Sequence, residues 1–171
     1  MGTAERRRFA LDHNFPAPVM RSFAALMPRV ELVPIAEIDP ALAELDDWEL
    51  FVALHRHEQP WDGLITSDDK LLALPKEMSV LSQTSLTLVV AVGEGHSPLR
   101  AVGVLLCHLS HVCHQTRTDR AQIWTLRVSQ KNHELPLAFL EKIAEKRGMT
   151  AAALYEQHRL APEAIRWERG G

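Results

Sequence analysis

The chain has 171 residues, 46% of them hydrophobic and 24% charged, with a formal net charge of −3. That is the size and composition of one globular domain able to bury a core without disulfides or a structural metal. It excludes a disordered tail, a coiled coil and a disulfide scaffold. No apolar run approaches the ~18–20 residues that span a membrane, and the opening arginines Arg6, Arg7 and Arg8 precede no apolar stretch of secretory length. Cys107 and Cys113 lie in one apolar segment, so reduced thiols and a cytoplasmic location are expected. The charge is unevenly spread: residues 1–70 carry 13 acids and 7 bases, and seven of the eight aspartates fall between Asp12 and Asp69. Aspartate is a poor former of helices and strands, so the crowding asks for a reason.

In chain order, Phe9-Ala10-Leu11 reads as a short buried strand ending at Asp12. Asn14 offers an N-cap, with Pro16 in the first turn, and Phe15, Val19, Phe23 and Leu26/Met27 follow at helical spacing. Residues 30–35 read as a second strand, with Pro34 marking an edge or an end. Asp39-Pro40 starts a helix running to about Arg56, with a break near Asp46-Asp47. Trp61-Asp62-Gly63 is a turn, and Leu64-Ile65-Thr66 a third buried strand leading into Ser67-Asp68-Asp69. Leu71, Leu72 and Leu74 form an apolar turn before Pro75.

Residues 87–92 are apolar and β-rich throughout, the pattern of a strand buried on both faces in a parallel sheet. Ser97-Pro98 begins a helix to Gln115, and residues 121–128 form a fifth strand near an edge. The rest is helical: residues 135–147 stopped by Gly148, then Thr150 capping 151 to about 159. The expected architecture is a single α/β domain with a central parallel sheet of four or five strands flanked by helices. The domain occupies residues 1–130, and 131–171 form a helical C-terminal extension packed on the domain or on a partner.

Asp12 and Asp68 each follow a short apolar strand. In open parallel sheets the ligand crevice lies outside the carboxyl ends of the strands, so the two carboxylates can converge there. Asp46, Asp47 and Glu49 lie between them in helical surroundings, and Asp69 neighbours Asp68. Crowded carboxylates repel one another, and a hard divalent cation, Mg²⁺ or Mn²⁺, relieves that repulsion. Alone, Asp12 or Asp68 reads equally well as a helix N-cap, and Asp46-Asp47 reads as a solvated helix face. His108, His111, Cys113 and His114 suggest zinc, but one regular helix cannot bring all four together, and the surrounding leucines make them core or helix-end residues.

Residues 9–16, Phe-Ala-Leu-Asp-His-Asn-Phe-Pro, resemble the hydrophobic–Leu–Asp–Glu–Asn–Leu–Pro opening of PIN-like proteins. Residues 64–71, Leu-Ile-Thr-Ser-Asp-Asp-Lys-Leu, resemble that family's Val–Thr–x–Asp–x–Asp–Phe segment, and Asp47 with Leu50, Phe51 and Ala53 resembles its aspartate-led helix. The similarity covers roughly residues 7–130. It implies a PIN-like fold and a metal-dependent endoribonuclease, as in the toxins of bacterial toxin–antitoxin pairs. It implies Asp12, Asp47 and Asp68 as metal-binding catalytic acids, with Asp46 replacing Asp47 if the helix register differs by one, and Asp69 as a further candidate.

The implied cofactor is Mg²⁺ or Mn²⁺, the substrate RNA, and the partners an antitoxin protein and a second copy of the chain. Asn14, Ser67 and Lys70 are candidates for substrate binding, and Arg6, Arg7 and Arg8 for drawing in RNA. His13 stands where the family often has an acid, and Asp69-Lys70-Leu71 shifts an acid by one position. These departures give the alternative reading, a catalytically weak or inactive PIN-like scaffold that acts through protein contacts. A haloacid-dehalogenase-like phosphatase would need a second Asp at position 14, which is Asn, and a receiver domain would need paired acids and a late lysine that are not evident.

Overall fold

Successive side chains of a strand point to opposite faces, and the central strands here are apolar on both. The computed structural model describes residues 6–166; residues 1–5 and 167–171, which open and close the two expected segments, lie outside them. β1 (Arg7–Leu11) sends Phe9 and Leu11 to one face and Ala10 to the other. β3 (Gly63–Thr66) and β4 (Thr87–Ala91) are buried along their whole length. Such strands need a helical layer on each side. On one side, α1 (Ala17–Ala24) and α5 (Pro98–Gln115) cover Phe9, Leu11, Ile65, Val89 and Leu126. On the other, α2 (Ile35–Ile38), α3 (Asp47–His55), α4 (Pro75–Ser82), α6 (Pro136–Lys146), α7 (Ala151–His158) and α8 (Pro162–Ile165) share a core with Ala10, Leu64, Leu88, Val90 and Ile123.

With β2 (Val30–Pro34), β5 (Gln122–Arg127) and β6 (Gln130–Glu134), the sheet has six strands in the order β2-β1-β3-β4-β5-β6. All neighbours are parallel except β5 and β6. The α/β class and the mainly parallel sheet are as expected; the count is six rather than four or five. β6 escapes the sequence because its residues, Gln-Lys-Asn-His-Glu, are polar and nearly all exposed. It exists by pairing antiparallel to β5, which lies one strand in from the edge, near it as expected. The expected boundary at residue 130 falls within β6. Beyond it, Leu140, Ile143, Ala144, Leu154 and Ile165 enter the same buried core as α3 and α4.

Several local readings change. Asn14 caps no helix: α1 starts at Ala17 with Pro16 as its N-cap. The stretch from Asp39 to Arg56 divides into a 3-10 turn (Pro40–Glu44) and α3, with the break at Leu45 and Asp46. Gly63 belongs to β3 rather than to a turn; the apolar turn expected before Pro75 is a 3-10 turn (Asp69–Ala73), and α4 opens on Pro75, where no element was expected. Asp39 does cap, its carboxylate accepting from the Ala41 N–H at 2.9 Å. Gly148 ends α6 at φ +65°, the left-handed conformation that suits glycine. Among the described residues no helix is long and apolar enough to cross a membrane.

Gly63 fixes the spacing of the sheet centre. A Cβ there would stand 1.7 Å from the Thr87 carbonyl oxygen of β4, a backbone atom that cannot turn aside. Gly63→Ala is therefore expected to destabilise the fold by about 3 kcal/mol or more. Gly103, in α5, has nothing within 4 Å of the same built atom, so Gly103→Ala is expected to add up to about 1 kcal/mol. Urea unfolding of the two variants measures both; a neutral Gly63→Ala would refute the close approach.

Candidate functional site

The strand order reverses direction between β1 and β3: β2 lies outside β1, while the chain continues from β3 toward β4 and β5. At such a switch point the connections leave the two strands on opposite sides and open a crevice at their carboxyl ends. Asp12 immediately follows β1 and Asp68 lies two residues beyond β3. α3 precedes β3 and runs back against it, so its first residue, Asp47, is delivered to the same edge. Three acids from three elements are thereby gathered at one end of the sheet.

Hydrogen bonds hold two of them. The Asp12 N–H donates to the Ile65 carbonyl at 2.9 Å, extending the β1–β3 ladder past the strand end. Asp12 is 8% exposed. Its Oδ2 accepts from the Thr66 hydroxyl at 2.7 Å and from Asn14 Nδ2 at 3.4 Å. Its Oδ1 accepts from the His13 N–H at 2.7 Å and lies 2.6 Å from His13 Nδ1. The Thr66 hydroxyl accepts in turn from the Asp68 N–H at 3.0 Å. Asp68 caps the following 3-10 turn, its Oδ1 accepting from the Lys70 N–H at 3.0 Å.

Asp47 reports the electrostatics. Its carboxyl is raised from an ordinary 3.8 to about 6, first by burial and then by the charges of Asp12, Asp68, Glu77 and Asp46. Burial is the larger cause; the charges of Asp12 and Asp68 add to it, so Asp47 lies within electrostatic reach of both. Glu77 was not anticipated. It belongs to the unexpected helix α4 and is itself raised by burial and by Asp46. The signal for it was Pro75 followed by an acid in the next turn, a common helix opening.

The remaining candidates divide. Asp46 is the exposed N-cap of α3, its N–H donating to Glu49 Oε2 at 3.0 Å. Asp69 turns toward another loop, its Oδ2 accepting from the Gly93 N–H at 2.9 Å. Lys70 is exposed and Ser67 buried. Arg7 and Arg8 do not serve this site. They stand at the amino end of β1, a strand's length (~16 Å) from Asp12. Arg7 pairs there with Asp62 at 2.9 Å, and Arg8 pairs with Glu31 at 3.0 Å while lying 4.4 Å over the Trp61 ring.

The histidines of α5 have other occupations: His108 Nε2 meets the Arg127 carbonyl at 2.7 Å, and His111 packs edge-on against Trp124. Burial pushes the Cys113 thiol up to about 12. Among the described residues, no three His, Cys, Asp or Glu side chains form a ready metal cage. No protein-family model matches the chain, and neither the curated proteins nor the solved structures include a significant match.

Asp47 makes stability depend on pH. A carboxyl raised on folding keeps its proton longer in the folded chain than in the unfolded one. Between about pH 4 and 6 the folded state binds more protons, so stability falls as pH rises, and above 6 the full cost is present. Asp47→Asn removes it. The variant is expected to melt roughly 2–4 °C above wild type at pH 8, on the order of 1 kcal/mol after allowing for solvent screening. The gain should vanish below about pH 4, where both states are protonated. Thermal melts across this range measure it; a gain that persists unchanged at acid pH would refute the origin in the ionisation of Asp47.

Proposed function

We propose that this chain is a divalent-metal-dependent endoribonuclease of the PIN-like kind, the activity borne by toxins of bacterial toxin–antitoxin pairs. The observation that carries this reading is that Asp12, Asp47 and Asp68 come from three elements to the carboxyl edge of the sheet at its switch point, where the charges of Asp12 and Asp68 add to burial in raising Asp47. The donor set suits the metal in kind. Carboxylate oxygens are hard ligands, and their mutual repulsion is what Mg²⁺ or Mn²⁺ would relieve. Mg²⁺ commonly takes one or two carboxylates directly and keeps waters in its other positions, so a complete protein cage is not required.

Asp12, Asp47 and Asp68 would hold the ion. Thr66 orients Asp12, Asn14 stands 3.4 Å from the same carboxylate oxygen, and the turn after β3 fixes Asp68. When bound, the ion supplies an acidified water and positive charge for in-line attack on a phosphodiester. The reading also entails an antitoxin partner, a second copy of the chain, and a cytoplasmic setting. One observation favours the alternative, an inactive scaffold: Asp12 is already engaged by His13, Asn14 and Thr66.

RNA cleavage by the purified chain with Mn²⁺ or Mg²⁺, and then with EDTA, separates the two readings. Asp12→Asn and Asp68→Asn, which keep side-chain size, are each expected to lower the rate by about a hundredfold or more. Millimolar Mn²⁺ should also raise the melting temperature of wild type, and raise it less in these variants. Cleavage that ignores EDTA or survives both substitutions would sink the mechanism. A folded wild type that cleaves with neither metal would leave the scaffold.

A further inference from the structure

An acidic cleft repels RNA, so a cation beside it must receive the phosphate backbone. The arginines of β1 are at the wrong end of the sheet. At the right end, a buried carboxylate holds one guanidinium in place. Residues 92–97 leave β4 at its carboxyl end and lie against the turn that follows β3. The Gly93 N–H donates to Asp69 Oδ2 at 2.9 Å, and a Cβ built on Gly95 would stand 3.4 Å from the Ser67 carbonyl oxygen. Between these two contact points, Glu94 is 8% exposed. Its Oε2 pairs with Arg100 Nε at 3.2 Å, while the Arg100 side chain stays 71% exposed.

A buried carboxylate is costly unless a charge answers it, which accounts for the pairing. The guanidinium itself stays open to solvent, so it can meet a second anion without giving up Glu94. The pairing is an ion pair at Nε, and with the side chain 71% exposed the guanidinium keeps N–H donors open to solvent. Such donors match phosphate oxygens in pairs. Arg100 also lies in the first turn of α5, on the edge of the sheet that carries Asp12, Asp47 and Asp68.

We propose that Arg100, oriented by Glu94, is a substrate-binding residue of the acidic cleft that takes a backbone phosphate of single-stranded RNA. This rests on the ribonuclease reading. The test uses the full chain with Mn²⁺ and a mixed-sequence single-stranded RNA oligonucleotide. It compares wild type with Arg100→Gln, Arg100→Lys and Glu94→Gln. Arg117→Gln is the control, removing an exposed charge near the opposite, amino end of β5.

Arg100→Gln is expected to lower kcat/KM about tenfold, chiefly through KM. It should also flatten the salt dependence by about 0.7 in log–log slope, the signature of one lost phosphate contact. Arg100→Lys should recover part of the loss, and Arg117→Gln should stay within about twofold of wild type. Glu94→Gln should raise KM in the same direction; if it does not fold, the Arg100 variants decide alone. A wild type that cleaves RNA, with KM and salt slope unchanged in Arg100→Gln, overturns the role of Arg100 and leaves the ribonuclease reading standing. An equal loss in Arg117→Gln overturns it as a general charge effect. A wild type that neither binds nor cleaves RNA overturns both readings.

Discussion

The hydroxyl of Thr66 joins the two strand ends on which the site is built. It donates to Asp12 at 2.7 Å and accepts from the Asp68 N–H at 3.0 Å, and the residue is fully buried. A hydroxyl has one proton to give, so its donation is committed to Asp12. The arrangement requires β3 to lie directly beside β1, hence β2 on the far side of β1, which is the reversal that opens the crevice. Close packing at Gly63 sets β3 equally firmly against β4. The helix entering β3 must run antiparallel to it, and that brings Asp47 to the same edge. One buried hydroxyl, one glycine and the direction of one helix thus position three acids from distant parts of the chain.

The two ends of the sheet treat charge in opposite ways. At the amino end, Asp62 receives Arg7 Nη1 at 2.9 Å and the Arg8 N–H at 2.8 Å, and Glu31 receives Arg8. Those acids and bases cancel locally and tie β1, β2 and the entry to β3 together. At the carboxyl end, burial and then the charges of Asp12, Asp68, Glu77 and Asp46 raise the Asp47 carboxyl to about 6. Unrelieved repulsion of this kind lowers stability at neutral pH, and proteins retain it where a site needs it. The crowding of aspartates in the first 69 residues therefore has two causes. Some cap and clasp, as Asp39, Asp46 and Asp62 do; others are gathered against one another.

What could be read from the chain follows the physics of each element. Phe9 to Leu11 and Leu64 to Thr66 are buried on both faces, so a plain apolar run marks them, and the acids that follow were legible as strand-end residues. β6 carries no apolar pattern because it forms through backbone pairing at an edge. α4 is short, opens on Pro75 and buries Ser79 among Met78, Val80 and Leu81, so no amphipathic stripe announced it or its Glu77. Asn14 has the right chemistry for a cap, but its amide faces Asp12 instead. Neither the turning of Asp69 to Gly93 nor the burial of Glu94 could be anticipated, because both depend on how the loop after β4 meets the turn after β3. Local signals name elements; loop-to-loop contacts remain outside their reach.

His13 gives the clearest view of how Asp12 can be used. As a residue type it departs from the acid that PIN-like proteins often carry there. In space it covers Oδ1 of Asp12 with both its N–H and Nδ1, while Thr66 covers Oδ2. The two coverings differ in what it takes to remove them. Thr66 is buried, and breaking its bond would strand a polar group inside the sheet. The His13 side chain is 75% exposed, and water can replace what its ring gives up when it swings away. With the ring away, Oδ1 still accepts from the His13 N–H but has a second lone pair to offer, while Oδ2 stays with Thr66 and Asn14. A carboxylate that frees one lone pair while the His13 N–H and the Thr66 hydroxyl keep it in place can meet a ligand without loosening the coupling of Asp12, Thr66 and Asp68.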